Sequence, residues 1–343
     1  MARPAFPRSL PEFFRMFPDE DACLRFVMDS RWPDGRVSCP RCLGRRVWPR
    51  KDRPGGMECA GCGHTFSATS GTVMKDSKLP LSTWLQAAYL MVTDKRGVSA
   101  MQLQRDLGLR GYETSWNILQ KLRAAMVAPD RSRLTGRVEI DESYIGAPRP
   151  GKRGRGAQGK FLILGACEVR RRTAPGTGEV STYPGRVRFR HIDNAIQPVL
   201  VDFVLEIVKD GTTVVTDGFD AYRILPEFGY PHEVESAALG MKQDAVLRHF
   251  HLAVSNLKTW LSGTFHGAVG RAPRGGTPGK HLQGYLNEFA FRFNRRHNLF
   301  AAFQTMLGIA GQVKGPTQEA LYASGPQRFT HVNEGGVRYR KKP

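Results

Sequence analysis

Two groups of residues in this chain have the types and spacing to do chemistry: paired cysteines near the N-terminus, and carboxylates set in apolar runs further on. Cys39-Pro-Arg-Cys42 and Cys59-Ala-Gly-Cys62, separated by sixteen residues, have the spacing of a four-cysteine zinc site. Each CxxC turn presents two thiolates, and the loop between them lets the pairs close on one tetrahedral ion. A closed set of four sulfurs leaves no open coordination position, so Cys39, Cys42, Cys59 and Cys62 are expected to hold a structural Zn2+. His64, two residues past the last cysteine, could replace a ligand, but is expected at the surface. Cys23 and Cys167 stand alone in apolar surroundings and read as buried thiols, so the cysteine usage is that of a metal site, not a disulfide framework.

The carboxylates are Asp141, which follows Val138 and Ile140 in VEIDESYIG, and Asp217, which ends the apolar run TTVVT. A carboxylate inside or ending an apolar strand is costly unless it is paired or binds metal. Two such groups on two strands can hold divalent cations that activate water or a hydroxyl and steady a leaving oxygen; hard oxygen ligands suit Mg2+ or Mn2+. Salt bridges with nearby arginines are the plainer reading of either residue. Glu142 and Asp220 lie close by and rank as neighbours.

The elements that must hold these groups can be traced in the hydropathy pattern. Residues 1–36 read as a helical leader and residues 37–68 as the cysteine unit. From Leu79 to Met126 the apolar residues take helical spacing. One helix starts near Ser82 and a second near Ser99; Gly108 then breaks the pattern before a third that carries Ser115, Leu119, Leu122 and Met126. This is the outline of a helix-turn-helix over 79–128. Between its apolar positions the third helix has Asn117, Gln120, Lys121 and Arg123, residue types that reach base edges and phosphates. A simple three-helix packing unit is the alternative. Beyond Pro129 the runs RVEIDESYIG, KFLILGACEV, GRVRFRHI and TTVVTDG read as strands, with a helix near 195–209 before the last of them. Helical stretches follow near 244–262 and 280–296, so this region is α/β, with helices covering a mixed sheet. The segment RPGKRGRGAQGK between the first two strands holds Lys152, Arg153 and Arg155 and no acid; it reads as a phosphate contact or as a solvated linker.

Charge narrows the partner. The 51 Lys+Arg against 31 Asp+Glu give a formal +20, spread along the whole length, and such a chain is drawn to polyanions. No run approaches the roughly 20 apolar residues that span a bilayer, and no basic-then-apolar leader opens the chain. No membrane partner and a cytoplasmic location are expected.

The phrases VEIDESYIG, TDGFDAY, HLAVSNLKTWLSGTFHG and HLQGYLNEFAFRFNRR, with CGHTFSATSGTVM closing the cysteine unit, closely resemble bacterial insertion-sequence transposases of the ISXO type. The resemblance covers roughly residues 15–300. It implies an RNase H-like (retroviral-integrase-like) α/β catalytic domain of the DDE type over 134–300, preceded by a zinc ribbon and a helix-turn-helix, with 301–343 as a C-terminal tail. By resemblance Asp141 and Asp217 are the first two members of the catalytic triad. Relatives usually carry Glu or Asn seven residues before a helical Lys; seven residues make almost two turns, so the pair shares a face. Counting back from Lys258 gives His251 as the third metal-site residue, with Lys258 on phosphate and Asn256 held in reserve. The implied activity is cleavage of DNA at transposon ends and joining of the freed 3′-hydroxyl to target DNA with Mg2+ or Mn2+. Terminal inverted repeats and target DNA would be the partners of a homo-oligomer. The alternative is a transposase-derived DNA-binding protein without catalytic activity.

Overall fold

The computed structural model describes residues 6–52, 54–128, 131–146, 160–266, 279–317 and 320–321. The chain forms two compact units: residues 1–128 with 295–323, and residues 129–294 with 324–343.

In the first unit, helices α1 (Leu10–Met16) and α2 (Glu20–Arg31) precede a small antiparallel sheet of β1 (Val47–Pro49), β2 (Gly56–Cys59) and β3 (Thr65–Ser67). Then come α3 (Leu81–Thr93), α4 (Ala100–Asp106) and α5 (Tyr112–Ala124), where the apolar spacing placed three helices. Ser9, Asp19 and Ser99 cap α1, α2 and α4 by accepting a backbone N–H from their first turns. Pro80 gives α3 no side-chain cap; instead the Glu20 carboxylate accepts from Leu81 N at 2.7 Å and Ser82 N at 2.9 Å. Residues 301–310, expected within a tail, belong to helix α9 (Leu299–Ala310), which packs on α3, α2 and α5. Phe303 stacks among Phe13, Phe17, Phe26 and Tyr89, and this burial of apolar surface holds the returning chain.

The second unit is built on a five-stranded mixed sheet, order β6-β5-β4-β7-β8. Its strands are β4 (Arg137–Ile145), β5 (Phe161–Thr173), β6 (Val180–Ile192), β7 (Thr213–Thr216) and β8 (His232–Val234). β5 runs antiparallel to β4 and β6, while β7 and β8 run parallel to β4. Helix α6 (Gln197–Ile207) covers one face, where Val138, Ile140, Leu164, Ala166 and Val214 meet Leu200, Phe203 and Val204. Helices α7 (Arg248–Phe265) and α8 (Leu282–Phe293) share the core of the other face with Ile145, Ile163, Cys167, Val187, Phe189 and Val215. Strand alternation sends Glu139 and Asp141 to the α7 face, between the apolar residues directed at α6.

The start of α7 is fixed by that alternation. Its N-cap, Leu247, has φ +43 and contributes no side-chain cap. Glu139, 2% exposed, supplies the missing acceptor from the sheet: one oxygen takes Phe250 N at 2.7 Å, the other lies 2.6 Å from His249 Nδ1. Glu235 accepts Leu247 N at 3.0 Å and is held in turn by Arg137 at 2.7 Å. At Gly165, paired with Asp141 on β5, a Cβ would lie 2.7 Å from Phe189 and Phe250, so α7 approaches the sheet closely because this residue has no side chain. Gly165→Ala should therefore cost about 1–3 kcal/mol through overpacking, read as a lower urea midpoint with an unchanged m-value. An unchanged midpoint would mean that α7 does not depend on this gap.

Candidate active site and zinc centre

β4 and β7 bring the two catalytic candidates together. Glu139 lies beside Val215 in parallel register, so two residues further on Asp141 and Asp217 come level on the α7 face. Asp141 Oδ1 accepts from Glu142 N at 2.7 Å, and Asp217 Oδ1 accepts from Phe219 N at 3.0 Å across the turn that ends β7. His251, in the first turns of α7, places Nε2 3.9 Å from Asp141 Oδ2. Lys258, two turns on, acts electrostatically on both Asp141 and His251. Asn256 lies five residues from His251, well round the helix, and both are exposed. Of the two side chains considered for the third position, His251 is the one beside Asp141.

Burial, and then the charge of Asp217, push the Asp141 carboxyl up to about 7, against the opposing pull of the Glu142 N–H and Lys258. Burial likewise pushes the His251 imidazole below its ordinary value, which favours the neutral form a metal requires. Two carboxylates and a neutral imidazole, with one carboxylate resisting ionisation, fit a cation better than they fit one another. The neighbours have other work: Glu142 accepts the Tyr222 hydroxyl at 2.5 Å, and exposed Asp220 pairs with Arg223. Glu139 and His249 were not foreseen. Their signal was a carboxylate two residues before Asp141 on the same strand face, and its partner lies 110 residues away.

At the N-terminal centre, Cys39 Sγ and Cys62 Sγ lie 3.7 Å apart, and Cys42 Sγ and Cys59 Sγ 3.6 Å. Four thiolates on one zinc at about 2.3 Å give edges of about 3.8 Å, so the sulfurs already outline that tetrahedron. Among the described residues, this is the group of three or more metal-ligating side chains whose donor atoms all lie within 4.8 Å of one another. The backbone N–H of Gly61, with that of Cys62, holds the Cys59 thiol down to about 7. Cys62 is drawn down by the His64 N–H but pushed up, to about 12, mainly by its bond to Cys42 and by burial. Thiols this close do not all ionise without a cation among them. His64 stays outside the set and stacks near Phe66. Cys23 and Cys167 are fully buried.

The expected nucleic-acid face of α5 needs correction in detail. Gln120 and Arg123 are buried, 0% and 1% exposed, because α5 is packed by α3, α4 and α9 rather than on one side. Asn117 and Lys121 are half-buried, with the Lys121 ammonium 6.0 Å from the Trp84 ring centre. Tyr112 and Glu113 are the exposed residues at the start of the helix. Lys152, Arg153 and Arg155 lie outside the described residues.

Residues 133–294 match the sequence profile of the ISXO2-like transposase domain, and residues 18–65 match that of the transposase zinc-ribbon domain. The chain belongs to the ISXO2-like insertion-sequence transposases. A search of curated proteins finds no match. Membership brings transposase function in general, points to DNA as partner, and makes the four cysteines the structural zinc site of the ribbon. No helix among the described residues is long and apolar enough to cross a membrane.

Loss of the ribbon zinc should unfold the N-terminal region, since a structural zinc contributes on the order of 10 kcal/mol in small sites. Chelation, or Cys59→Ser, should abolish protection of amides near residues 39–67 in hydrogen exchange, with the β4–β7 amides still protected. Purified transposase with well under one zinc per chain and an intact ribbon would contradict this.

Proposed function

We propose that this transposase cleaves DNA at the ends of its element and joins the freed 3′-hydroxyl to target DNA, at an RNase H-like site formed by Asp141, Asp217 and His251. What carries the reading is the approach of His251 to Asp141 on the face that Asp217 shares. The mixed sheet, with one antiparallel strand inside it and helices on both faces, supports the RNase H-like assignment. Asp141, Asp217 and His251 would hold the divalent cation, Mg2+ or Mn2+, which when bound supplies activation of the attacking oxygen and stabilisation of the leaving one. Lys258 would bind the phosphate at the same helix face. Hydrogen bonds from Glu142 N and Phe219 N orient the two carboxylates, and the Glu139 cap holds α7 so that His251 and Lys258 keep their aim. Asp141 must shed its proton before it can act as a ligand.

The zinc ribbon and a helix-turn-helix formed by α4 and α5 would hold the terminal inverted repeats, with Asn117, Lys121 and the exposed start of α5 towards DNA, in an oligomer that pairs two ends. Gln120 and Arg123 would serve that helix from inside. The basic segment with Lys152, Arg153 and Arg155 would add phosphate contacts. Both carboxylates are present, level and on one face, which argues against a purely DNA-binding descendant.

His251→Ala should lower cleavage of end-bearing DNA by more than about a hundredfold, beyond the loss typical of outer-shell partners, with end binding intact. Asn256→Ala should leave cleavage nearly unchanged. His251→Glu should move the preference from Mn2+ towards Mg2+, because imidazole suits transition metals better than Mg2+. Cleavage that survives His251→Ala but not Asn256→Ala would reverse the assignment.

The pH dependence follows from Asp141. Its folded-state value lies above that of the unfolded chain, so protonation favours the fold. The stability present below about pH 4 is lost as pH rises towards 7, by on the order of 4 kcal/mol. Metal-free transposase should thus destabilise between pH 4 and 7, and Asp141→Asn should remove that slope. Mg2+ affinity should rise across the same range. A flat profile in the wild type would contradict the assignment.

A further inference from the structure

β5 and β6 continue past the sheet. β4 accompanies β5 from Ile145↔Phe161 to Arg137↔Val169, and beyond that pair β5 has only β6 as a strand partner among the described residues. Their remaining pairs are Arg170↔Tyr183, Arg171↔Thr182, Arg172↔Ser181 and Thr173↔Val180, and every one of these residues is exposed. A two-stranded ribbon is marginal by itself in water, and this one has no apolar core of its own. Its chemistry is that of a polyanion contact. Three consecutive arginines, four hydroxyl-bearing residues and one acid, Glu179, make up most of the polar groups from 170 to 183 outside the turn. Arg170 reaches back to Glu168 at 2.9 Å, whereas Arg171 and Arg172 form no ion pair among the described residues.

The two free cations lie on opposite faces. Thr182 Oγ1 is 3.0 Å from His249 Nε2, so Thr182 and its partner Arg171 face the α7 side, the side of Asp141. Arg172, one residue on, faces the other way. A ribbon with one guanidinium per face suits a slot with phosphate on both walls. The major groove of duplex DNA, about 12 Å wide, admits a two-stranded ribbon. Edge pairing with a second copy would bring rows of arginine together and is disfavoured.

We propose that the β5–β6 arm enters the major groove of duplex DNA, with Arg171 and Arg172 reaching the phosphates of the two opposite backbones. This contact belongs to the second unit and would add to any that the zinc ribbon, α4 and α5 make. Its distance from the cut rests on the reading of Asp141 given above. From Gly165, level with Asp141, to Arg172 is seven strand residues. At about 3.3 Å each that is about 23 Å, or roughly seven base pairs along DNA.

The test uses full-length protein carrying Arg171→Ser with Arg172→Ser, and a second form carrying Arg171→Lys with Arg172→Lys. Affinity for mixed-sequence duplex DNA is measured against salt, and hydroxyl-radical protection is mapped on duplex carrying the inverted repeats that flank the gene. The serine form should lose about 2 from the salt slope and lose protection about seven base pairs from the cut, while the lysine form keeps most of the slope. An unchanged slope in the serine form overturns the proposal, as does an equal loss in the lysine form. A change in sedimentation without DNA, with the slope intact, would make the arm an interface between copies and also overturn it. Should the slope fall but the lost protection lie elsewhere relative to the cut, the arm contact stands and the placement of the active site at Asp141 fails.

Discussion

Glu139 sits inside the second unit with one carboxylate oxygen on the backbone N–H of Phe250 and the other on His249, and helix α7 takes its position from that junction. The contact answers two problems together. Helix α7 begins at a left-handed leucine without a capping side chain, leaving N–H groups in need of acceptors, and β4 carries a charged group into the interior. A negative charge at a helix N-terminus is favourable, and charge-assisted bonds of this kind are among the strong ones. Leaving a buried acceptor or donor of this kind unsatisfied typically costs about 1–3 kcal/mol, and more for a charged group, so the junction matters for stability as well as aim. Gly165 on the neighbouring strand permits the close approach that the junction demands.

The site that this junction assembles is costly in isolation. Asp141 lies on β4, largely buried, and Asp217 just past the end of β7, exposed; the helix adds an imidazole half open to solvent and an ammonium. Lys258 offsets part of the repulsion without pairing tightly with either carboxylate. The same logic operates at the ribbon, where four thiols crowd into a volume that only a cation makes comfortable. The ribbon holds its four sulfurs within 4.8 Å of one another, a closeness that no other group of three metal-ligating side chains reaches among the described residues.

The carboxylates were legible because strand alternation is a period-two signal: in VEID the apolar residues go to one face and the acids to the other. Asp217 followed from its place at the end of a short apolar run. The seven-residue count from Lys258 put His251 on one helix face with it because seven residues make nearly two turns, and His251 on that face lies near Asp141. Glu139 escaped notice because its role depends on a helix terminus 110 residues away, which no local pattern encodes. Gln120 and Arg123 read as a polar face, but α5 has α3, α4 and α9 packed on it, α9 returning from the far end of the chain, and both residues are buried. Helix α9 itself was written in LFAAFQTMLGIA at helical spacing; its apolar residues make sense only against the aromatic cluster of α1, α2 and α3.

The central claim is that the sheet and α7 hold Asp141 in a site that resists its charge until a cation arrives. The direct measurement is a titration of the Asp141 side-chain carboxyl by carbon-detected NMR, with and without Mg2+, assigned through Asp141→Asn. The structure predicts a midpoint near 7 without divalent cation and ionisation at distinctly lower pH when Mg2+ is present. A midpoint near 4 that Mg2+ does not move would contradict the account.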